Sequence, residues 1–221
     1  MPRRHALELF LKQVQMFRHL SAAERQRAAA ACRERSFDRG EAIFHEGHPS
    51  DSVWLVREGR VHLLHYLTGG RVQTTCVMAP GESFCCLPAL DRGSYPATAV
   101  AATPAKVIQL PTSVFHELMQ GSPAMAQETL CTFCTRLRQV EAKGCLAHDP
   151  VDRRIAQALL TLQKKFGETI PMTRQEIADL VGTTVETAIR TISRFQKEGR
   201  VRSTRGKLAL LQPDALKQLL S

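Results

Sequence analysis

The sequence predicts an α+β protein with three parts in order: an N-terminal antiparallel β-roll, one long helix and a C-terminal winged helix-turn-helix. Three observations predict this fold. Short apolar runs alternate with glycine turns between Phe37 and Leu110. Apolar residues at heptad spacing follow Pro123. In the last third, two helix-start signals about ten residues apart precede a basic hairpin.

Length and composition agree with a globular protein of this kind. The 221 residues are 43% hydrophobic and 23% charged, enough for one large or two small domains. We place the roll at residues 1–121, the long helix at 122–148 and the winged helix-turn-helix at 149–221. Seven cysteines, an odd number, suggest reduced thiols rather than a disulfide framework. No apolar run reaches the about 18 residues of a membrane span, and the N-terminus has too short an apolar core for a signal peptide, so we expect a cytoplasmic protein.

The first third combines helical starts with strand signals. Ser21 and Glu24 form a capping box that opens a helix, which we expect to end near Arg35. Glycines then recur about every 7 to 12 residues, an interval typical of short antiparallel strands in a barrel or roll. A short helix is expected from Thr112 to Met119. The expected strands centre on Ala42–Phe44, Val53–Val56, Val61–Leu64, Val72–Val77, Thr98–Val100 and Lys106–Leu110.

The long helix is predicted to run from Pro123 to about Ala147, and His148-Asp149-Pro150 then interrupts it as a hinge. Its apolar residues form a narrow seam, as expected when a helix pairs with a copy of itself. The alternative is that this seam packs on the roll of its own chain. The a and d positions of the heptad are Leu130, Phe133, Leu137, Val140 and Gly144.

Residues 173–207 are predicted to form two short helices joined by a tight turn, followed by a basic hairpin. Thr173 and Glu176 form a capping box, Gly182 ends the first helix, and Thr183 with Glu186 forms a second capping box. Small side chains at the crossing allow the two helices to approach closely, as in a helix-turn-helix. The expected buried stripe of the second helix is Ala188, Ile192 and Phe195.

Charge distinguishes this segment from an ordinary helical hairpin. Residues 184–207 contain seven basic and two acidic residues, a net charge of +5. Residues 150–221 carry +6 of the total +9, so the surface suited to a polyanion lies in the last third. A basic run that follows a helix-turn-helix and continues into a hairpin is typical of DNA binding.

The order of these elements resembles the CRP/FNR family of bacterial transcription regulators over nearly the whole chain. The matching segments are FDRGEAIFHEG, VWLV and PGESF in the roll, RRIAQALLTL from Arg153 to Leu162, and the helix-turn-helix. The resemblance implies a roll like a cyclic-nucleotide-binding jelly roll, a homodimer, and a pseudo-palindromic double-stranded DNA site. It further implies RNA polymerase as a partner and no enzymatic activity.

The resemblance assigns roles on the second helix of the motif. Glu186 and Arg190 match the family's base-reading pair, in which the carboxylate accepts from cytosine N4 and the guanidinium donates to guanine O6 and N7 of a TG/CA step. Val185, directly before Glu186, is closer to the FNR-like branch. Ile189 stands where that branch usually has serine. At this position an isoleucine side chain could contact a thymine methyl group. The expected phosphate contacts are Thr173, Thr184, Arg194, Arg202, Arg205 and Lys207.

The sensor departs from the family pattern. Gly81-Glu82 resembles the ribose-binding pair of cyclic-nucleotide-binding members, but Tyr95-Pro96 stands where those members carry Arg-Ser. A buried cyclic phosphate without a guanidinium would be costly, which argues against cyclic AMP. Residues 1–31 contain no cysteine, which argues against the FNR type of iron–sulfur cluster.

The cysteines leave several interpretations open. Cys85-Cys86 lies in the segment expected to form a wall of the effector pocket of the roll, and Cys131 and Cys134 form C-x-x-C on the long helix. They could be a thiol switch, a metal site, a haem ligand or small hydrophobic residues. Haem-containing members also begin Met-Pro and have a cysteine after a phenylalanine, but they then carry histidine where this chain has Leu87. We assign no metal ligands and leave the effector and cofactor open, with haem as an alternative. The expected effector pocket comprises Gly81, Glu82, Cys85, Cys86, Tyr95 and Gln139.

Overall fold

The computed structural model describes residues 2–145 and 148–220. The chain divides into two compact units: one consists of Met1–His65 with Cys76–Leu137, and the other of Tyr66–Thr75 with Arg138–Ser221. The three domain boundaries expected from the sequence stay a prediction. Within the described ranges, no helix has the length and apolar character that a membrane crossing requires.

The chain begins with helices, which the sequence analysis identified only in part. Helix α1 spans Pro2–Gln13, and α2 spans Ala22–Ala31. The Ser21 capping box is confirmed: Ser21 Oγ accepts from the Glu24 amide at 3.2 Å and the Glu24 carboxylate accepts from the Ser21 amide at 2.8 Å. The expected end near Arg35 is wrong. Arg33–Phe37 instead pairs antiparallel with Ala105–Pro111, because cross-strand hydrogen bonds and burial of Phe37 outweigh local helix propensity.

Two four-stranded antiparallel sheets confirm the predicted roll. The strands are β1 (Arg33–Phe37), β2 (Ala42–Phe44), β3 (Ser52–Glu58), β4 (Val61–Tyr66), β5 (Val72–Met78), β6 (Ser83–Phe84), β7 (Thr98–Ala101) and β8 (Ala105–Pro111). Their orders in the two sheets are β1-β8-β3-β6 and β2-β7-β4-β5. The six predicted strands are present, and β1 and β6 are additional. Helices α3 (Cys86–Asp91) and α4 (Thr112–Gly121) complete this region.

Strand β3 explains how the first unit holds two apolar layers. Val53 and Leu55 pack in a cluster with the helices, whereas Trp54 and Val56 pack in the interior of the roll. All four side chains are at most 2% exposed. Successive residues of a strand point to opposite faces, so this central strand is apolar on both. The apolar cluster in the roll interior is therefore built largely from side chains of its own strands.

Helix α5 spans Pro123–Cys145, and the expected last residues near Ala147 lie outside the described residues. Its heptad seam is divided. Phe133 is half-buried and packs against the helical layer of the first unit. Leu130, Leu137 and Val140 are 61%, 59% and 61% exposed, so the residues that the structure describes leave this part of the seam uncovered.

The second unit contains the predicted winged helix-turn-helix. The short strands form a sheet of order β10-β11-β9 beside the helices. The expected stripe of Ala188, Ile192 and Phe195 is confirmed, with each residue at most 1% exposed. The elements are α6 (Val151–Phe166), β9 (Thr169–Ile170), α7 (Arg174–Val181), α8 (Val185–Lys197), β10 (Val201–Thr204), β11 (Lys207–Leu210) and α9 (Pro213–Lys217).

The turn between α7 and α8 confirms one capping prediction and corrects another. Thr173 Oγ1 accepts from the Glu176 amide at 3.2 Å, and the Glu176 carboxylate accepts from the Thr173 amide at 2.7 Å. Gly182 ends α7 with a φ of 68°, a left-handed conformation that favours glycine. The predicted second box at Thr183 is wrong: the amide of Thr183 still donates to the Ala178 carbonyl of α7, and Thr184 is the N-cap of α8.

Candidate nucleic-acid interface and sensor

Helix α8 presents one apolar and one exposed face. Burial of Ala188, Ile192 and Phe195 fixes the rotation of the helix about its axis. Glu186, Ile189 and Arg190, predicted to contact bases, therefore all lie on the exposed side. Glu and Arg four residues apart are neighbours on a helix surface, so their side chains can contact adjacent bases.

The polar side chains of this face make few hydrogen bonds to the rest of the described chain. Arg190 Nη2 donates to Thr187 Oγ1 at 3.4 Å, the long end of the range for a hydrogen bond. In the described part of the chain, the Glu186 carboxylate has neither a hydrogen bond nor an ion pair. Both groups thus keep most of their hydrogen-bonding capacity for a ligand.

The hairpin of β10 and β11 adds exposed cations beside the motif. Arg202, Arg205 and Lys207 are exposed, and Gly206 turns the chain between the strands with a φ of 73°. A groove runs between this hairpin and the start of α7. Its lining is Met172, Thr173, Arg174, Ser203, Thr204, Arg205 and Gly206.

Arg174 in this groove was missed by the sequence analysis. Its Nε and Nη2 donate to Ser203 Oγ at 3.4 and 3.3 Å. It is the first residue of α7, where the helix dipole disfavours a cation unless an anion is nearby. Its position directly after the N-cap Thr173 was the available signal. The groove thus offers two guanidinium groups, from Arg174 and Arg205, and a helix N-terminus to a phosphate.

The remaining predicted phosphate contacts differ in how far they are engaged. Thr173 is half-buried and Thr184 is exposed, and both hydroxyls accept capping hydrogen bonds from backbone amides. Arg194 is not a free cation: its Nη2 lies 2.9 Å from Asp152 Oδ2 on α6, and its Nε lies 3.9 Å from Glu198 Oε1. The structure thus holds Arg194 in ion pairs within the second unit.

In the roll, the predicted effector residue Tyr95 is part of the core. Its ring stacks on Phe44 with centroids 3.8 Å apart, and the residue is only 4% exposed. The hydroxyl accepts from Trp54 Nε1 and donates to Asp51 Oδ1, both at 3.1 Å. Burial raises the pKa of Tyr95 above its ordinary value, so the hydroxyl keeps its proton.

The predicted Gly81-Glu82 pair forms a turn before β6. Gly81 has a φ of 85°, and the Glu82 carboxylate accepts from the Ala79 amide at 2.8 Å. Both residues are half-buried. The acid thus stabilises the turn that precedes the cysteines.

The two adjacent cysteines lie on opposite sides of the sheet. Cys85 packs in the roll interior with Trp54 and Tyr95, whereas Cys86 packs in the helical layer. Cys85 has left-handed backbone with a φ of 57°, which is uncommon for a residue other than glycine. Burial raises the pKa of both thiols, which keeps them protonated and weakly nucleophilic.

The other sensor candidates lie on α5. Cys131, Cys134 and Gln139 are exposed, and Gln139 belongs to the second unit whereas Tyr95 and Cys85 belong to the first. Across the described ranges, no three His, Cys, Asp or Glu side chains are grouped so that they could hold a metal ion. Of the six residues expected to form a pocket, Tyr95 and Cys85 lie in the roll interior, Cys86 lies in the helical layer, and Gly81 and Glu82 lie in the turn before β6. Gln139 is exposed on α5, and the shared pocket stays a prediction.

Comparisons with known proteins agree with both halves of this architecture. Residues 34–122 match the model of the cyclic nucleotide-binding domain, and residues 153–219 match the Crp-like helix-turn-helix domain. The transcriptional activator protein FnrA of Stutzerimonas stutzeri is 30% identical over 176 residues, which cover 76% of this chain and 72% of FnrA. The cyclic AMP receptor protein of Thermus thermophilus is 28% identical over 92% of this chain and 95% of that protein.

A solved structure supports the fold independently. FixK2 from Bradyrhizobium japonicum superimposes with a TM-score of 0.78 at 24% identity, covering 85% of this chain and 96% of FixK2. The roll, the long helix and the winged helix-turn-helix thus occur together in proteins of this kind. The chain belongs to the CRP/FNR family of transcription regulators.

Proposed function

We propose that this protein is a homodimeric regulator that binds a pseudo-palindromic DNA site in a sequence-specific way, with a TG/CA step in each half-site. The observation that supports this most directly is the outward placement of Glu186 and Arg190 on α8. A carboxylate one helical turn before a guanidinium fits a cytosine N4 donor and the adjacent guanine O6 and N7 acceptors. Arg202, Arg205 and Lys207 supply sequence-independent contacts to phosphates.

The homodimer is supported by the exposed part of α5. Leu130, Leu137 and Val140 repeat at heptad positions and are each about 60% exposed. Complete burial of an exposed side chain of this kind contributes about 1.5–3 kcal/mol. Covering the exposed part of these three on each of two chains recovers about 60% of that amount per residue, which favours association. A second copy would cover this seam and bring two recognition helices to two half-sites.

We further propose that the effector differs from cyclic AMP. Two observations support this: Tyr95-Pro96 stands where cyclic-nucleotide-binding members carry Arg-Ser, and the Tyr95 hydroxyl is already hydrogen-bonded to Trp54 and Asp51. An effector need only bind the DNA-competent arrangement of the dimer better than the other arrangement to shift the population. RNA polymerase as a partner stays an expectation from the family.

Cyclic-nucleotide regulation is the second candidate, because residues 34–122 match the cyclic nucleotide-binding domain. Titration of the purified protein with cyclic AMP, followed by calorimetry and by DNA affinity, separates the two. Because Tyr95 occupies the position of the phosphate-binding arginine, we expect cyclic AMP to give no heat of binding and to leave the affinity for DNA unchanged. A saturable gain would make the second candidate the correct one.

The DNA-binding proposal is tested by fluorescence anisotropy with two labelled duplexes of equal length. One carries a pseudo-palindrome with TG/CA steps, and the other carries the same bases in scrambled order. We expect the first to bind at least about 10³-fold more tightly, the usual lower range for specific recognition. Light scattering should give twice the mass of one chain. Equal affinity for both duplexes, or a monomer that binds one half-site as tightly as the full site, would contradict the proposal.

A further inference from the structure

Three consecutive residues at the start of α6, directly after the hinge, each hold a different part of the second unit. Asp152 pairs with Arg194 on α8, Arg153 binds carbonyls that follow α9, and Arg154 binds carbonyls at the end of α7. We propose that Asp152–Arg154, here named the hinge clamp, positions the recognition helix, and that Arg194 acts through Asp152 rather than on a phosphate. This inference rests on the proposed DNA-binding function.

Arg154 fixes the turn of the helix-turn-helix. Its Nη1 donates to the Val181 carbonyl at 2.6 Å and lies 3.5 Å from the Gly182 carbonyl. These carbonyls are at the C-terminus of α7, where the helix leaves acceptors unsatisfied and where a positive charge is favourable. The guanidinium therefore ties α6 to the point from which α8 departs.

Arg153 holds the other side of the unit. Its Nε donates to the Leu219 carbonyl at 2.7 Å and its Nη2 donates to the Leu220 carbonyl at 2.8 Å. Its Nη1 also lies 3.3 Å from Asp149 Oδ2 in the hinge itself. One side chain thus connects the hinge to the segment after α9.

Asp152 supplies the contact that bears on DNA recognition. Its carboxylate lies 2.9 Å from Arg194, whose side chain is 52% exposed. Arg194 follows Arg190 by four residues, so the two lie on neighbouring positions of the α8 surface. The buried stripe sets which face of α8 is exposed, and the Asp152–Arg194 pair adds a tether between α6 and the last turns of α8. This tether limits small displacements of α8 and of the Arg190 side chain that it carries. A movement of the hinge would shift Asp152, and the Asp152–Arg194 contact would transmit that shift to α8 and to Arg190.

A double-mutant cycle tests the clamp: Asp152→Asn, Arg194→Gln and both together, measured against the specific and scrambled duplexes over a range of salt. If Arg194 acts through Asp152, each single variant weakens specific binding about two- to fivefold, as for a half-exposed ion pair. The double variant is then no weaker than either single variant, and the salt slope is unchanged. Asp214→Asn, which breaks the exposed Asp214–Lys217 pair on α9, is the matched control and leaves specificity unchanged.

The opposite pattern identifies Arg194 as a phosphate contact. Arg194→Gln would then weaken both duplexes equally and lower the salt slope by about one, whereas Asp152→Asn would tighten binding by releasing the cation. That result overturns the inference.

Hydrogen exchange of the free protein gives a readout that needs no DNA. We expect equally faster exchange in the last turn of α8 in both single variants and in the double variant, and unchanged exchange there would contradict the clamp. If the wild-type protein binds neither duplex specifically, the proposed function fails, and the exchange result still decides whether Asp152 restrains α8.

Discussion

The recognition helix α8 and the roll interior differ in where they place their polar and reactive side chains. On α8, Glu186 and Arg190 lie outside and the structure engages them little. In the roll, Tyr95 and Cys85 lie inside, and the Tyr95 hydroxyl already has two partners. In the first region, these side chains are available to hydrogen-bond a ligand without rearrangement. In the second region these side chains already have protein partners.

This difference explains why one region could be interpreted from sequence and the other could not. The exposed face of a helix follows from local spacing, because three buried residues fix its rotation. Whether a residue lines a pocket or fills it depends on strands far apart in sequence, such as β2 carrying Phe44 under Tyr95. Substitutions in the two regions should therefore have separable effects.

The largest expected effect comes from the buried face of α8. Phe195→Ala removes a side chain that is 1% exposed and leaves a cavity, which typically costs about 3–5 kcal/mol. We expect the free energy of unfolding of the winged helix-turn-helix to fall by that amount, measured by urea denaturation. Lys197→Ala, two residues away and exposed, should change it by less than about 0.5 kcal/mol. Similar losses in the two variants would contradict the assignment of the faces.

Thiol labelling sharpens the contrast between exposed and interior groups. Burial raises the pKa of the Cys85 thiol, so at pH 8 almost no thiolate is present, whereas Cys131 and Cys134 are exposed. We expect iodoacetamide to modify the latter two about 100-fold faster in the folded protein, as followed by peptide mass spectrometry. Rapid labelling of Cys85 would contradict its place in the core and favour a thiol sensor.

Tyr95→Phe tests whether the tyrosine is part of the framework or an effector ligand. The variant leaves the buried Trp54 indole without its hydrogen-bond acceptor, at a cost of about 1–3 kcal/mol. Thermal unfolding should record that loss, with little change in DNA affinity. Unchanged stability together with an altered response to a signal would instead place Tyr95 in a binding site.

Local signals predicted much of the fold. The capping boxes at Ser21 and Thr173, the end of α7 at Gly182 and six strands were all predicted correctly, because each depends on a few neighbouring residues. These signals also placed Glu186 and Arg190 on the exposed face, and the relatives assign the chain to a family whose fold the structure shares.

The failures came from contacts between distant segments. Arg33–Phe37 forms a strand because residues 105–109 pair with it, and Thr183 belongs to the end of α7 because its amide donates to the Ala178 carbonyl. Arg194, which was expected to contact phosphate, pairs with Asp152, 42 residues earlier, and its role on DNA stays a prediction. Spacing along one helix carries no information about such partners.

We propose that Arg190 contacts a base whereas Lys207 contacts the sugar–phosphate backbone of DNA. Anisotropy of Arg190→Ala and Lys207→Ala, measured with the specific duplex, duplexes altered at one base pair and the scrambled duplex, tests it directly. We predict that Arg190→Ala loses about 1–3 kcal/mol of discrimination at a single base pair. Lys207→Ala should weaken all duplexes alike and lower the salt slope by about one. If Arg190→Ala weakened specific and scrambled DNA equally, the base-reading role of α8 would be wrong.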